Sequence, residues 1–111
     1  MEITPYCMII TTCSTYDEAA HIANGLIGNK LAACVQLSEI KSFYSWEGQI
    51  QHEPEVRLMI KTRTWLYPEV EDFIRKNHSY SIPEIISVPI DRGELKYLSW
   101  MDEVTGKTIT G

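Results

Sequence analysis

The stretch that decides the fold is "AACVQLSEIKSFYSW", residues 32–46, together with the "EGQI" that follows it at 47–50. It reads as one extended segment, and it is much longer than the usual strand of about five or six residues. Glu47 and Gly48 predict a tight turn, after which apolar and charged residues alternate again over residues 55–61. These patterns predict a long antiparallel hairpin.

The alternation of apolar residues in this stretch changes phase near its middle. The apolar positions are odd-numbered before residue 38 and even-numbered after it, namely Val35, Leu37, Ile40, Tyr44 and Trp46. A slip of one residue in a period-2 pattern moves side chains to the other face of a sheet. We therefore expect a bulge or bend near Ser38 and Glu39.

Working outward from the hairpin, one strand–helix unit precedes it and one helix–strand unit follows it. The predicted elements are a strand at 6–10, a helix from Thr15 to Gly28, a second helix from Thr64 to Asn77, a strand at 84–90 and a short helix at 93–103. This order predicts an α+β fold of the ferredoxin-like type, a βαββαβ sandwich with a long extended hairpin and a short C-terminal helix.

Capping signals support both long helices. Thr15 followed by Glu18 has the form of a capping box, and Gly28 marks the end of the first helix. Thr64 is expected to cap the second helix, with Pro68 tolerated in its first turn.

Composition limits the possible functions. A chain of 111 residues fits a single domain, 1–111, with a tail at 104–111 that we expect to be mobile or loosely docked. The net charge of −5 and the lack of a basic run argue against a nucleic-acid partner. No apolar stretch approaches a membrane span, and the N-terminus lacks signal-peptide features, so we expect a cytoplasmic protein.

The cysteines Cys7, Cys13 and Cys34 are odd in number and form no CxxC pair. A disulfide framework or a zinc knuckle is therefore not expected, and the simplest interpretation is three small apolar residues in a reducing compartment. Cys13 is the one with a further possibility, because it lies where an apolar strand gives way to polar residues.

Five motifs occur together and in order, and together they resemble one known family. They are "KLAACV" (30–35), "SFYSWEGQI" (42–50), "EVRLMIKT" (55–62), the His-x-Tyr-x-x-Pro-Glu of 78–84 and "YLSW" (97–100). The chain resembles CutA, the divalent-cation tolerance family, over residues 6 to 103. The resemblance implies a ferredoxin-like subunit related in architecture to PII signalling proteins, a tight homotrimer, and a link to tolerance of copper and other divalent cations.

A metal site is the first functional hypothesis. Thiolate and imidazole ligands suit copper or zinc, and Cys13, His78 and Glu84 could supply such a set if their loops meet at one end of the sheet. His78 carries over from the metal-binding members of the family, whereas Cys13 is our inference from its position. The alternative is that His78 caps the second helix or bonds Glu84, and that Cys13 is simply packed.

We expect the stretch "HSYSIPE" (78–84) to have mainly a structural role, with metal binding secondary. Ile82 precedes Pro83 and is therefore pushed into an extended conformation. Tyr80 should pack its ring while its hydroxyl finds a hydrogen-bond partner. On this view His78 binds copper or another divalent cation only weakly.

A binding cleft between subunits is the second hypothesis. Its candidate lining combines aromatic and charged side chains: Tyr44, Trp46, Glu55, Lys61, Tyr80 and Glu84. Polar groups converging on an aromatic floor are typical of small-ligand pockets, which would suit a PII-like module with a small ligand or protein partner. The alternative is an ordinary interface, where aromatic residues are enriched in any case.

Catalysis is the least favoured hypothesis. An acylphosphatase-like activity on this fold would need an Arg- and Gly-rich loop after the first strand, and "TTCSTYDEA" at 11–19 contains neither residue. No Ser-His-Asp or Cys-His motif is visible. We therefore predict a metal-responsive binding protein that is not an enzyme and uses no organic cofactor.

Overall fold

The computed structural model describes residues 4–106. Its elements are β1 (Tyr6–Cys13), α1 (Tyr16–Gly28), β2 (Cys34–Trp46), β3 (Gln49–Arg63), α2 (Tyr67–Asn77), β4 (Ile85–Pro89) and α3 (Leu95–Val104). A short 3₁₀ turn, Thr64–Leu66, precedes α2. The predicted βαββαβ order with a short C-terminal helix is confirmed.

One antiparallel sheet in the order β2-β3-β1-β4 forms the middle of the subunit. Helices α1 and α2 cover one face, where the core consists of Ile9, Ile22, Leu26, Leu58, Ile60, Val70 and Ile74, all fully buried. Helix α3 contacts the other face, where the ammonium of Lys61 lies 5.8 Å from the centroid of the Tyr97 ring. The rest of that second face, here called the open face, is not covered by any helix of residues 4–106.

The β2–β3 hairpin is continuous. Every residue from Cys34, paired with Lys61, to Trp46, paired with Gln49, has one partner. The bulge predicted near Ser38 and Glu39 is therefore wrong. The apolar pattern changes phase for another reason: the helices cover the hairpin only where it joins the core, and beyond that point Ile40, Tyr44 and Trp46 lie on the open face.

The distal half of the hairpin extends beyond the rest of the subunit. The Cα radius of gyration is 15.0 Å and the longest dimension is 51 Å, whereas a compact chain of this length has a radius of gyration of about 13 Å. Phe43 and Ile50, near the tip, are 69% and 80% exposed.

A two-residue turn closes the hairpin. Glu47 and Gly48 both have positive φ, at 50° and 75°. Two successive residues in the left-handed region are what a type I′ hairpin turn requires, and this turn matches the twist of the strands it joins. The turn therefore helps to set the register of the hairpin.

The two helix starts differ from each other. The Thr15 hydroxyl accepts a hydrogen bond from the Glu18 amide, at 3.2 Å, so the predicted cap of α1 is confirmed. Thr64 does not cap α2. Its hydroxyl donates to the Thr4 carbonyl instead, at 2.6 Å, and the 3₁₀ turn separates it from the helix. Pro68 does lie in the first turn of α2.

The start of the C-terminal tail is docked. Thr105 is buried, donates a 2.6 Å hydrogen bond to the Met101 carbonyl, and accepts one from Arg63 Nε. The Gly106 amide donates to the Lys30 carbonyl, at 2.7 Å. Thr105 and Gly106 are therefore hydrogen-bonded to the rest of the subunit; the remainder of the predicted tail lies outside the described residues. Over residues 4–106, no helix is both long and apolar enough to cross a bilayer.

Candidate metal centre and adjoining groove

Three chain segments bring a thiol, a carboxylate and an imidazole together at one end of the sheet. Cys13 is the last residue of β1, Glu18 lies in the first turn of α1, and His78 directly follows α2. One potential ligand atom from each of these side chains lies within 4.8 Å of the other two. Among residues 4–106, these three side chains form the cluster of potential ligands whose spacing would suit a metal ion.

The His78 ring is held by hydrogen bonds on both nitrogens. The Tyr80 amide donates to Nδ1, at 3.0 Å, so Nδ1 carries no proton. Nε2 lies 2.7 Å from the Thr12 carbonyl oxygen and donates its proton there. These two bonds define a neutral imidazole, and its side chain is fully buried. His78 is also the C-cap residue of α2, as the alternative interpretation predicted.

The Cys13 thiol is protonated at neutral pH. Burial, and then the neighbouring charge of Glu18, raise its pKa from 9.0 to about 12. Its sulfur lies 3.8 Å from Nε2 of His78. Because metals bind the thiolate, this cysteine must release a proton before it can act as a ligand.

Glu18 carries the least expected feature of the cluster. Its Oε2 is buried and lies 3.5 Å from Nδ1 of His78, yet it makes no hydrogen bond within the described part of the chain. Buried carboxylate oxygens are nearly always paired, so an unpaired one calls for an explanation. A sulfur, an imidazole nitrogen and a carboxylate oxygen form a donor set that suits copper or zinc. The residues present therefore fit such an ion.

The structure places the three predicted metal ligands in two different sites. Cys13 and His78 come together as predicted, but Glu84 is exposed and is absent from their cluster. Glu18 supplies the carboxylate instead. It was missed because a glutamate in the first turn of a helix already has an ordinary explanation as part of a cap. The short connection of Ser14 and Thr15 between β1 and α1 was a usable signal, because it returns Glu18 to Cys13.

A groove of about 610 Å³ lies beside this cluster, between the distal hairpin and the loop before β4. It is lined by Thr12, Ser42, Phe43, Tyr44, Trp46, Glu53, Glu55, Tyr80, Ser81, Ile82 and Glu84. Five of the six predicted cleft residues are in this lining. Lys61 is not: it contacts Tyr97, and six residues of strand place it about 20 Å from Glu55.

The groove is acidic. The Tyr80 hydroxyl donates a 2.9 Å hydrogen bond to Oε2 of Glu55, which provides the partner that the sequence led us to expect. Burial, and then Glu55, raise the pKa of Tyr80. The pKa of Tyr44 is raised by desolvation and then by Glu53 and Glu55. Both phenols therefore remain neutral hydrogen-bond donors at neutral pH.

The cluster and the groove share a wall. Thr12 lines the groove and also accepts the hydrogen bond of His78. Tyr80 lines the groove from the other side, and its ring centroid lies 4.8 Å from that of His78. His78 thus positions two groups of the groove without lining it.

The fold and the cluster define a small ferredoxin-like protein with a candidate sulfur, nitrogen and oxygen metal centre. Residues 7–104 match the family model described as CutA1 divalent ion tolerance protein, and the chain belongs to that family. It is 43% identical to the divalent-cation tolerance protein CutA of Archaeoglobus fulgidus, over 86% of this chain and 93% of that one.

Two further relatives extend the comparison. Human protein CutA is 41% identical over 85% of this chain, which spans only 53% of the human protein. Among solved structures, CutA1 from Shewanella sp. SIB1 superposes with a TM-score of 0.92 at 36% identity, covering 96% of this chain and all of that one. The predicted fold and the predicted family are both confirmed.

Proposed function

We propose that this protein contributes to divalent-cation tolerance by binding a copper or zinc ion at Cys13, Glu18 and His78. The buried, unpaired Oε2 of Glu18 is the observation that carries this proposal, because it lies beside the other two donors. Family membership supports the tolerance role. The ion would act only as a Lewis acid that accepts electron pairs from the three donor atoms. The protein provides these atoms and holds them in a buried position.

Weak binding is part of the proposal. The thiol of Cys13 must lose a proton that burial holds tightly, and His78 must give up one of its two hydrogen bonds to free a nitrogen. Each hydrogen bond lost without replacement costs roughly 1 kcal/mol. These costs favour an ion that is bound and released over one that is permanently held.

A titration of the thiol-reduced protein with Zn(II), read by calorimetry, tests the proposal, with Cu(I) measured by competition against a chromophoric chelator. We expect one ion per chain, with affinity lost in Cys13→Ser and reduced in Glu18→Gln. Cys34→Ser is the matched control, because Cys34 lies outside the cluster. Unchanged uptake in Glu18→Gln and Cys13→Ser would place the ion elsewhere and refute the proposed centre.

We also propose that the protein is a homotrimer. The open face carries half-buried or exposed apolar side chains at Met8, Ile10, Met59, Ile86 and Val88. A contiguous apolar face of this kind is typical of a surface that another chain covers. The number three comes from the family resemblance, because an uncovered face and an overhanging hairpin suit a dimer equally well.

A binding role in the cytoplasm completes the proposal. The family is named for ion tolerance and not for a reaction, which supports binding over catalysis. All three cysteines are free, as is usual in a reducing compartment. The solved CutA of A. fulgidus, in contrast, is described as periplasmic.

A further inference from the structure

We infer that the groove beside the metal cluster is a binding site for an organic ammonium cation. This site is separate from the proposed metal centre, since none of the residues Cys13, Glu18 and His78 lines it. The inference specifies that the small ligand of the cleft hypothesis is an organic cation. Its failure would leave the metal proposal intact.

The charge of the groove selects a cation. Glu53, Glu55 and Glu84 line it, whereas no lysine, arginine or histidine does. Within the described residues none of the three carboxylates forms a salt bridge. Carboxylates that share a partly enclosed cleft without a counter-charge create a negative potential that concentrates cations. A phosphate-bearing or carboxylate ligand would meet repulsion and no basic partner.

The aromatic walls select an organic cation over a metal ion. The aromatic residues Tyr44, Trp46 and Tyr80 line the same groove. The electron-rich faces of such rings attract ammonium groups, by roughly 0.5–2 kcal/mol for each good contact. A hard divalent ion needs six or more oxygen ligands instead. The groove glutamates do not form a group with metal-ligand spacing among residues 4–106.

The size and rigidity of the groove suit a small molecule. Its volume of about 610 Å³ lies within the range of roughly 300–1,000 Å³ usual for ligand pockets. One wall is the continuous hairpin, and the other is fixed because the Tyr80 hydroxyl is bonded to Glu55 across the groove. The carboxylate of Glu55 therefore has a defined position before any ligand arrives.

Choline and its uncharged isostere 3,3-dimethylbutan-1-ol provide a matched pair of probes. They have nearly the same shape and differ in the charge of one central atom. The intact assembly in metal-free buffer is titrated with each, with tryptophan fluorescence and calorimetry as readouts. We expect saturable choline binding in the millimolar range or tighter, and binding of the alcohol at least tenfold weaker.

Variants of the groove then locate the site. Glu55→Gln keeps an acceptor for the Tyr80 hydroxyl while removing the charge, and we expect it to weaken choline binding severalfold. Trp46→Leu removes a ring, and we expect a loss of about tenfold, read by calorimetry. Glu69→Gln is the control, because it removes one charge from an exposed position on α2.

Three outcomes would overturn the inference. They are equal binding of the alcohol and choline, binding that Glu55→Gln and Trp46→Leu leave unchanged, and no saturable choline binding. The last outcome includes the case in which a second copy of the chain fills the groove.

Discussion

The Nε2–H of His78 donates a 2.7 Å hydrogen bond to the carbonyl of Thr12, so the end of α2 is tied to the residue that precedes Cys13 in β1. One side chain therefore joins two elements that are far apart in sequence. The same nitrogen lies 3.8 Å from the sulfur that would share a metal with it. The His78 ring therefore has both a structural role and a proposed role as a metal ligand.

Because of this double role, we predict that His78→Ala destabilises the metal-free protein by about 2–3 kcal/mol. The variant loses two hydrogen bonds of a buried ring and leaves a cavity behind. Urea denaturation in the presence of a chelator measures the change in the free energy of unfolding. The matched control is His21→Ala, at an exposed position, which should change stability little. If both variants are as stable as the parent, the ring has no structural role.

Zinc affinity should rise with pH. The Cys13 thiol, with its pKa near 12, must release one proton when a metal binds. Between pH 6 and 8 the affinity should therefore increase about tenfold per pH unit. Competition titrations at several pH values test this, and Cys13→Ser should flatten the dependence. A pH-independent affinity in the parent protein would argue against a thiolate ligand.

Alkaline conditions should destabilise the metal-free fold through the same cysteine. Its pKa in the folded protein, about 12, lies above the ordinary value of 9.0. The stabilisation is therefore complete below pH 9 and is lost as pH rises from 9 towards 12. Denaturation curves at pH 8, 9 and 10 should show stability falling, and falling less steeply in Cys13→Ser. Parallel pH profiles for the two proteins would contradict the buried-thiol explanation.

The hairpin turn predicts opposite effects for two neighbouring substitutions. Gly48→Ala should destabilise the fold by about 1–2 kcal/mol, because φ is +75° there while an added Cβ would meet nothing within 4 Å. Glu47→Asn should stabilise it by roughly 0.5 kcal/mol, since asparagine tolerates the left-handed conformation better. Thermal unfolding measures both. If Gly48→Ala is neutral, the positive φ is not the source of the cost.

The oligomer prediction has a matched pair of surface variants. Light scattering at low micromolar concentration should give a mass of about three chains for the parent protein. Ile86→Asp puts a charge on the open face and should shift the mass towards one chain, whereas Ile27→Asp, at an exposed position on α1, should not. A well-folded monomeric parent would contradict the proposed assembly.

The sequence was sufficient for the fold where local patterns coincide with burial. The Thr15 cap, the apolar stripes of both helices and the two-residue turn are set by neighbouring residues, so they were predictable. The bulge at Ser38 and Glu39 was wrong because a change of apolar phase has two possible causes. Either the strand slips, or the covered face changes; only the extent of the helices distinguishes them.

The site was predicted in part, for a similar reason. Cys13 and His78 could be paired because both lie at element ends that a ferredoxin-like fold brings to one edge. Glu18, and not Glu84, lies beside Cys13 because only two residues separate the start of α1 from the end of β1. No sequence motif predicts that proximity. Lys61 was placed in the cleft because it shares a strand face with Glu55, and distance along the strand separates them.

The unbroken one-to-one pairing of β2 with β3 also restricts how the length of this hairpin can vary. Adding one residue to each strand between the core and Tyr44 would move Tyr44 and Trp46 to the opposite face and take both out of the groove, because side chains alternate along a strand. Adding two to each strand would keep every side chain on its present face and lengthen the arm by about 7 Å. Relatives that retain the groove should therefore differ in hairpin length by even steps per strand.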